Sequence, residues 1–285
     1  MSNTIDLKIN VVILEDEKDI LDDLTFEMNA SLKNFNEDCR NPEMEIQEVG
    51  LVNLIPHVQS FDNLKSTRTQ VHNGNCDLLI ADFRVKEFPQ SHKATATVLP
   101  LLREIKNKNG FIPVIGHTAF SEMYSGAKED NLTYQTYSKT ERESILKIIQ
   151  DGVFITKEIG RFKRDLFTAF SEIHLANETS SLVDRQQNIE GARNILANIE
   201  VPKYAPFDYK KTVVMLRSLF FRLSSIPSDI FQLNSLNSEF IQILKKLTME
   251  LKNPFYSFEK NGIPLFMELE AKGYNVIMKI NDNDF

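Results

Sequence analysis

Short apolar segments alternating with amphipathic stretches constrain the fold of this chain more than any other feature of its sequence. The predicted strands are Lys8–Leu14, Glu45–Val52, Cys76–Ala81, Ile112–Gly116 and Leu132–Tyr137, and the predicted helices are Asp19–Leu32, Ser60–Val71, Val98–Lys106 and Glu141–Ile149. The helical stretches are recognised because their apolar residues recur three or four positions apart. Strands separated by helices are typical of a parallel sheet covered on both faces, so we expect an α/β fold for residues 1–150.

Beyond Gln150 the pattern becomes mostly helical. The predicted helices there are Ile155–Leu175, Leu182–Ile199, Tyr209–Leu223 and Asn237–Leu251, followed by a short helical stretch at Pro264–Ala271 and a short terminal strand at Tyr274–Ile280. The change in pattern predicts two domains, an α/β domain at 1–150 and a mostly helical domain at 151–285.

Composition places the chain among soluble globular proteins, because 42% of its residues are hydrophobic and 26% are charged. Its apolar runs are shorter than the ~18 residues expected of a membrane-spanning helix. The first residues have neither the basic region nor the small-residue cleavage site of a secretory signal. The only cysteines, Cys39 and Cys76, lack a C-x-x-C spacing and are expected to be reduced thiols. We therefore expect a cytoplasmic protein without membrane insertion.

The negative charge is concentrated in the first half. Residues 151–285 contain 17 basic and 17 acidic residues, which leaves 16 basic and 23 acidic residues in 1–150. A neutral second half lacks the basic excess of most DNA-binding modules, so nucleic-acid binding is not favoured. We find no second set of catalytic residues after residue 151 and expect a signalling protein rather than a conventional enzyme.

Chemically active residue types follow the ends of the predicted strands. The first strand ends at Glu15, Asp16 and Glu17, and the third ends at Asp82. The fourth leads to Thr118 and the fifth to Lys139. Because open parallel sheets bind ligands outside the carboxyl ends of their strands, we expect these side chains to meet at one edge.

This set of groups suits phosphoryl transfer to a carboxylate. Glu15, Asp16 and Asp82 offer the hard oxygen ligands that Mg²⁺ prefers. The metal would offset the repulsion between an incoming phosphoryl group and the carboxylate that attacks it. Attack by Asp82 would produce an acyl phosphate, while Thr118 and Lys139 would contact the phosphoryl oxygens.

Four segments resemble those of the response-regulator receiver family: VVILEDE, DLLIADFRV, PVIGHTA and YSK. The resemblance covers about residues 8–150 and implies a flavodoxin-like fold of five parallel strands. Glu15 and Asp16 match the family's acidic pair, Asp82 its phospho-accepting aspartate, Thr118 its switch hydroxyl, Lys139 its lysine and the backbone carbonyl of Arg84 its third metal ligand. The resemblance also implies a sensor histidine kinase or a phosphotransfer protein as partner.

The chain departs from the family pattern at several positions. Thr140 follows the lysine where the family usually has proline, and Thr136 stands at the usual place of the switch aromatic, with Tyr134 and Tyr137 beside it. The segments Asn29–Asn75 and Lys86–Thr97 are longer than usual. We interpret the longer segments as extra surface for a partner.

Other interpretations of the same residues remain open. The acids could be a solvated helix start, since acids favour helix N-termini, and the fold could be a receiver that no longer accepts phosphate. His174 in a predicted helix could be a phosphotransfer histidine, and Ile226–Leu247 could be forced into a helix-turn-helix, although neither has matching neighbours. For the second half we favour a protein-interaction or homodimerisation module over a DNA-binding module.

Overall fold

A computed structural model describes residues 5–39, 52–108, 112–120, 125, 131–178, 181–200 and 202. The strands are β1 Ile5–Leu14, β2 Val52–Phe61, β3 Leu78–Asp82, β4 Arg84–Val85, β5 Ala96–Thr97, β6 Val114–Thr118 and β7 Gln135–Ser138. The helices are α1 Lys18–Ser31, α2 Phe35–Asp38, α3 Leu64–His72, α4 Leu99–Lys108, α5 Ser144–Glu178 and α6 Leu182–Asn198. Among these residues no helix combines the length and the apolar character needed to cross a membrane.

Five strands form one parallel sheet in the order β2-β1-β3-β6-β7. Counted along the sheet strands alone this order is 2-1-3-4-5, which is the flavodoxin-like arrangement. The predicted α/β fold with a five-stranded parallel sheet is therefore confirmed. The short strands β4 and β5 pair with each other in an antiparallel hairpin outside this sheet.

Both faces of the sheet are covered by helices. On one face, side chains of α3 and α4 such as Leu64 and Leu101 belong to the same buried cluster as Val12 of β1 and Leu79 of β3. On the other face, α5 packs closely against α1 and β3, since Gly152 lies beside Met28 and Ile80. Every residue of β3 and of β6 is buried, which is the pattern of central strands in a doubly covered parallel sheet.

The second strand was misplaced by the sequence prediction. The structure has β2 at Val52–Phe61, paired with β1 along its whole length, whereas the prediction was Glu45–Val52. Residues 45–51 lie outside the described ones. β2 is an edge strand, where a proline and several polar side chains are tolerated. Pro56 and His57 interrupt the apolar pattern of this segment, so the sequence prediction did not identify it as a strand. The following helix consequently begins at Leu64 rather than at Ser60.

Helix α5 joins two helices that the sequence analysis had separated. The predicted helix Ile155–Leu175 and most of the predicted helix Glu141–Ile149 belong to one continuous helix of 35 residues, which begins at Ser144. Gly152 lies inside this helix, and its missing side chain lets α5 approach Met28 and Ile80. The proposed division of the chain at residue 150 thus falls inside a helix.

Polar contacts hold α5 at the amino ends of the strands. The acidic residues lie at the carboxyl ends, on the opposite edge of the sheet. Lys163 contacts the buried Asp77 at 2.7 Å, and Asp77 also accepts a hydrogen bond from the Asn10 backbone at 2.8 Å. Lys157 pairs with Asp38 of α2 at 2.7 Å, and Arg161 donates to the Asp38 carbonyl at 3.1 Å. The segment that leads into the second half is therefore anchored on the α/β domain.

The remaining predictions for the second half are tested only in part. The predicted helix Leu182–Ile199 is confirmed as α6. His174 lies within α5, as predicted for a helical residue. The helices at Tyr209–Leu223 and Asn237–Leu251, the stretch Pro264–Ala271, the strand at Tyr274–Ile280 and the segment Ile226–Leu247 lie outside the described residues.

We predict that Gly160→Ala destabilises the protein by about 1–3 kcal/mol, because a methyl group there would overpack a filled site. A Cβ at residue 160 would lie 2.7 Å from the Phe35 ring and 3.2 Å from the Cys39 sulfur, both of which are buried. The free energy of unfolding in urea measures the effect.

Gly152→Ala is the matched control for this prediction. Its added Cβ would lie 3.2 Å from the end of the flexible Met28 side chain, which can adjust. Alanine is also favoured over glycine in a helix by about 1 kcal/mol. We expect little change or a gain in stability, and equal losses in both variants would contradict the packing argument.

Candidate active site at the carboxyl end of the sheet

The parallel register brings the predicted site residues to one edge of the sheet. Leu14 of β1 pairs with Ala81 of β3, so Glu15 and Asp82 emerge side by side. Asp82 pairs with His117 of β6, and Thr118 pairs with Ser138 of β7, immediately before Lys139. The expectation that these side chains meet at the carboxyl ends of the strands is confirmed for Glu15, Asp82 and Lys139 by direct contacts.

The Lys139 ammonium group is the centre of this cluster. Its nitrogen lies 2.8 Å from Asp82 Oδ2, 2.9 Å from Glu15 Oε1 and 2.8 Å from Glu17 Oε1. An ammonium group has three hydrogens, so all three are used. Such charge-assisted hydrogen bonds are about twice as strong as neutral ones, which fixes the positions of the carboxylates around the lysine.

Two of the three carboxylates are withdrawn from water. Glu15 is 1% exposed and Asp82 is 4% exposed. Burial raises the pKa of Glu15 to about 7, and the nearby Asp82 charge adds to the rise while Lys139 opposes it. Burial also raises the pKa of Asp82, again against the effect of Lys139. Desolvation of the carboxylates thus outweighs the single positive charge.

Lys139 itself stays protonated. Burial lowers its pKa, but the hydrogen bonds and charges of Asp82, Glu17 and Glu15 outweigh burial and raise the pKa above its ordinary value. One lysine therefore faces three acids, and the cluster has an excess of negative charge when the acids are ionised. Such an excess favours a divalent cation.

The acids that lie closest together differ from the predicted pair. Oxygen atoms of Glu15, Glu17 and Asp82 all lie within 4.8 Å of one another. Asp16 is half-buried beside this group, and burial raises its pKa while the charges of Lys139 and Lys86 lower it. Its charge in turn raises the pKa of Asp82, so Asp16 belongs to the same electrostatic site. Sequence reasoning named Glu17 as part of the acidic run but gave it no role.

Arg84 approaches Asp82 through its backbone. Its N–H group donates to Asp82 Oδ1 at 3.3 Å. The Val98 N–H group donates a hydrogen bond to the Phe83 carbonyl, so these two residues form a hydrogen-bonded pair next to the β4–β5 hairpin. Hydrogen-bonded and non-hydrogen-bonded pairs alternate along antiparallel strands, so the next pair, Arg84 and Thr97, is non-hydrogen-bonded. The N–H and carbonyl groups of Arg84 consequently point away from β5, on the side of Asp82. The Arg84 side chain turns elsewhere, towards the Ala94 carbonyl at 3.0 Å and the Phe120 ring at 5.0 Å.

Thr118 lies at the end of β6 with 2% exposure. Its hydroxyl oxygen accepts a hydrogen bond from the Phe120 N–H group at 3.1 Å, and its carbonyl accepts one from the Lys139 N–H group at 2.9 Å. The first bond uses a lone pair of the hydroxyl and leaves its hydrogen able to donate. Thr118 is thus tied to the loop that carries Lys139.

His117 is a buried site residue that sequence reasoning missed. It is 2% exposed, and its Nδ1 atom lies 3.8 Å from Glu15 Oε2 while its Nε2 atom lies 3.2 Å from the Ser144 hydroxyl. Burial lowers its pKa to about 4, so the imidazole is neutral at pH 7. The available signal was a histidine inside the apolar run PVIGHTA, where a strand buried on both faces is expected to be apolar.

Several solved structures resemble this chain, although no family model and no curated protein matches it. A response regulator receiver domain protein from Clostridium thermocellum is 16% identical, with 53% of this chain and 98% of that chain covered and a TM-score of 0.35. A CheY-like receiver domain protein from Methanospirillum hungatei is 13% identical, with 54% and 100% covered and a TM-score of 0.36. The response regulator TrrA from Thermotoga maritima, in complex with Mg²⁺-BeF, is 17% identical, with 51% and 98% covered and a TM-score of 0.31.

The strand order, with acids and a lysine at the carboxyl ends, decides the fold of the first half. The described residues between 5 and 150 have a flavodoxin-like fold. The low identities and TM-scores of these structures carry no argument about function, so the roles of the site residues rest on the geometry of this chain.

The Phe83 ring packs beside Gly116, next to the candidate site. Phe83 follows Asp82 directly and is fully buried. A Cβ at Gly116 would lie 2.5 Å from the Phe83 ring and 2.9 Å from Thr136, so this ring fits only because residue 116 is glycine. Tyr137 instead donates to Asp151 of α5 at 2.7 Å. The two small residues and the ring thus form one packed unit next to the site.

The other departure from the receiver pattern is local. Thr140 is exposed, and its hydroxyl lies 2.8 Å from the Ser138 hydroxyl. The loop around Lys139 is also held by the hydrogen bond from the Lys139 N–H group to Thr118. These contacts hold the lysine in place without the proline.

We predict that Glu15 makes the metal-free protein less stable as the pH rises from 4.5 to 7. Its pKa is raised from 4.5 to about 7 in the folded state, so the unfolded state releases this proton first as the pH increases. The stabilising effect of protonation is complete below pH 4.5 and is lost as the pH passes about 7. Glu15→Gln cannot ionise, so the wild type should lose up to about 3 kcal/mol relative to it.

Urea unfolding with a chelator at several pH values measures this difference. Glu27, which is exposed on α1, supplies the control variant Glu27→Gln. A constant difference between the wild type and Glu15→Gln across this pH range would contradict the prediction.

Proposed function

We propose that this chain is a two-component response regulator that accepts a phosphoryl group on Asp82 from a histidine kinase or a phosphotransfer protein. The observation that carries the proposal is the hydrogen bond of 2.8 Å between Lys139 and Asp82 at the carboxyl end of the parallel sheet. A buried aspartate aligned by a lysine, with further acids beside it, has the groups needed for a carboxylate nucleophile.

The donor set fits Mg²⁺. The oxygen atoms of Glu15, Glu17 and Asp82 lie within 4.8 Å of one another, and hard oxygen ligands are those that Mg²⁺ selects. We propose Glu15, Asp16, Asp82 and the backbone carbonyl of Arg84 as the residues that hold the ion. When bound, Mg²⁺ would neutralise charge on the phosphoryl oxygens and on the acids.

The protein groups account for the remaining steps of the transfer. An oxygen of Asp82 forms a bond to phosphorus while the phosphorus–nitrogen bond of the donor phosphohistidine breaks, and the electron pair of that bond returns to the imidazole. Lys139 then pairs with one phosphoryl oxygen in place of its present acids, and the Thr118 hydroxyl donates to another. The proposed catalytic residues are therefore Asp82, Thr118 and Lys139.

The change at Asp82 would be relayed through the packed face formed by β6, β7 and α5. Phosphorylation adds about −1.5 to −2 charges and strong acceptor oxygens at this edge. Lys139 and Thr118 are joined by a backbone hydrogen bond, so movement of either shifts the loop that leads into α5. We propose that residues 151–285 form the output domain, which binds a protein partner or a second copy of this chain.

A DNA-binding output is the second candidate. The favoured interaction module rests on the equal numbers of basic and acidic residues, 17 of each, in residues 151–285. A phosphate-binding module would show steep salt dependence of DNA affinity. Binding of duplex DNA at two salt concentrations distinguishes these outputs.

We predict that incubation with acetyl phosphate and Mg²⁺ adds one phosphoryl group to the wild type and none to Asp82→Asn, since the amide cannot act as the nucleophile. Intact mass spectrometry measures the adduct. Asp77→Asn is the matched control, because Asp77 is also a buried aspartate paired with a lysine but lies at the opposite end of the sheet.

A thermal melt establishes that each variant is folded before its mass is compared. Absence of the adduct in the wild type, under conditions that modify a control receiver, would favour a receiver fold that does not accept phosphate. An adduct of equal size in Asp82→Asn would place the acceptor elsewhere.

We predict that Lys139→Gln separates metal binding from phosphoryl acceptance. Loss of the ammonium group removes a competitor for three carboxylates, so Mg²⁺ should bind a few-fold more tightly. The rate of phosphoryl acceptance should fall about ten-fold or more, because a charged hydrogen bond to the phosphoryl group is lost. Calorimetry measures the affinity, and mass spectrometry over time measures the rate.

Lys147→Gln is the control, since Lys147 is an exposed lysine paired with Glu141. It should leave both quantities unchanged. A Lys139→Gln variant that accepts the phosphoryl group as fast as the wild type would remove Lys139 from the mechanism.

A further inference from the structure

Two buried polar atoms in the site face each other without a hydrogen-bond partner. They are Glu15 Oε2 and His117 Nδ1, and they lie 3.8 Å apart. Glu15 is 1% exposed and His117 is 2% exposed, so water does not reach them readily. Buried polar groups are normally paired, and an unpaired group calls for an explanation.

The other atoms of both side chains are already held. Lys139 contacts Glu15 Oε1 at 2.9 Å, and the Ser144 hydroxyl lies 3.2 Å from His117 Nε2. Ser144 is buried and is the first residue of α5. The imidazole is therefore anchored on one side by the helix and faces the free oxygen of Glu15 on the other.

We propose that His117 is a positioning residue that holds the Glu15 carboxylate in the orientation needed for Mg²⁺, with Ser144 as its anchor on α5. This inference rests on the proposed function of the acidic site. It assigns a role that neither the predicted metal ligands nor the predicted catalytic residues include.

The protonation pattern supports this role. A neutral imidazole has one N–H donor and one acceptor nitrogen. If Ser144 donates its hydroxyl hydrogen to Nε2, the imidazole hydrogen resides on Nδ1 and points to Glu15 Oε2. A shift of about 1 Å closes this contact to hydrogen-bond length, since N–H···O bonds are about 2.9 Å long. The Glu15 Oε2 atom, which has no hydrogen-bond partner, would accept this bond.

The contacts also form a continuous route from the site to α5. Asp82 contacts Lys139, Lys139 contacts Glu15, Glu15 faces His117, and His117 contacts Ser144. A change in the orientation of Glu15 on metal binding would therefore reach the first residue of the 35-residue helix. An apolar residue at position 117 would pack within the buried strand, but it would lose the contacts to Glu15 and Ser144 that form this route.

Two amide variants separate the functions of the two ring nitrogens. In His117→Asn the amide nitrogen can take the place of Nδ1 and still donate to Glu15. In His117→Gln the longer amide can take the place of Nε2 and still contact Ser144, but it does not donate to Glu15. His117→Leu removes both contacts, and Ser144→Ala removes the anchor.

Calorimetric titration of the full chain with Mg²⁺ alone measures the effect. We expect His117→Asn to bind Mg²⁺ within about two-fold of the wild type, whereas His117→Gln and His117→Leu bind about ten-fold more weakly, the usual size of effects at groups that orient metal ligands. Ser144→Ala should give an intermediate loss. Thermal melts in chelator establish that each variant folds, and loss of stability without this order of affinities would indicate a packing role only.

Nitrogen NMR of the His117 ring gives a second readout that packing would not change. In the wild type we expect the hydrogen on Nδ1, with a shift of that signal when Mg²⁺ is added. A hydrogen on Nε2 in both states would overturn the proposal, as would equal affinities of His117→Asn and His117→Gln. These results do not depend on phosphoryl transfer, whose own failure would appear as a wild type that binds Mg²⁺ but gains no mass from acetyl phosphate.

Discussion

The Lys139 ammonium group, surrounded by Asp82, Glu15 and Glu17, is the interaction that organises the carboxyl end of the sheet. Without a cation, three carboxylates so close together would repel one another in a site with little water. The lysine resolves this repulsion only in part, since burial keeps the pKa values of Asp82 and Glu15 raised. The carboxylates are therefore held in place by the lysine, and their remaining negative charge still attracts a second cation.

The two ends of the sheet use similar chemistry for different purposes. At one end Lys139 aligns Asp82, and at the other Lys163 from α5 pairs with the buried Asp77. The second pair, together with the contacts of α2, fastens the long helix on the α/β domain. α5 begins beside the acidic site, is anchored at the far end of the sheet and spans the domain as one continuous helix. A change at its first turn would therefore act on an element that continues into the second half.

The packing beside the site shows how a departure from the receiver pattern is accommodated. Gly116 leaves the space that the Phe83 ring occupies, and a Cβ at residue 116 would also lie close to Thr136. Phe83 is joined directly to Asp82 along the chain, so the packing of this ring and the position of the Asp82 carboxylate are connected. A larger side chain at residue 116 would require Phe83 to move.

The sequence by itself determined the alternation of strands and helices that predicts a parallel sheet, and the chemical types at the strand ends, because apolar periodicity and abrupt acidic ends are local signals. It did not determine β2, since an edge strand has no need of a continuous apolar run and Pro56 is tolerated there. Nor did it show that α5 is continuous, because the change of pattern after Gln150 is a local signal that does not reveal whether a helix ends there. Only the tertiary structure brought Glu17 to Lys139 and His117 to Glu15, since these contacts depend on the register between strands that are distant in the sequence.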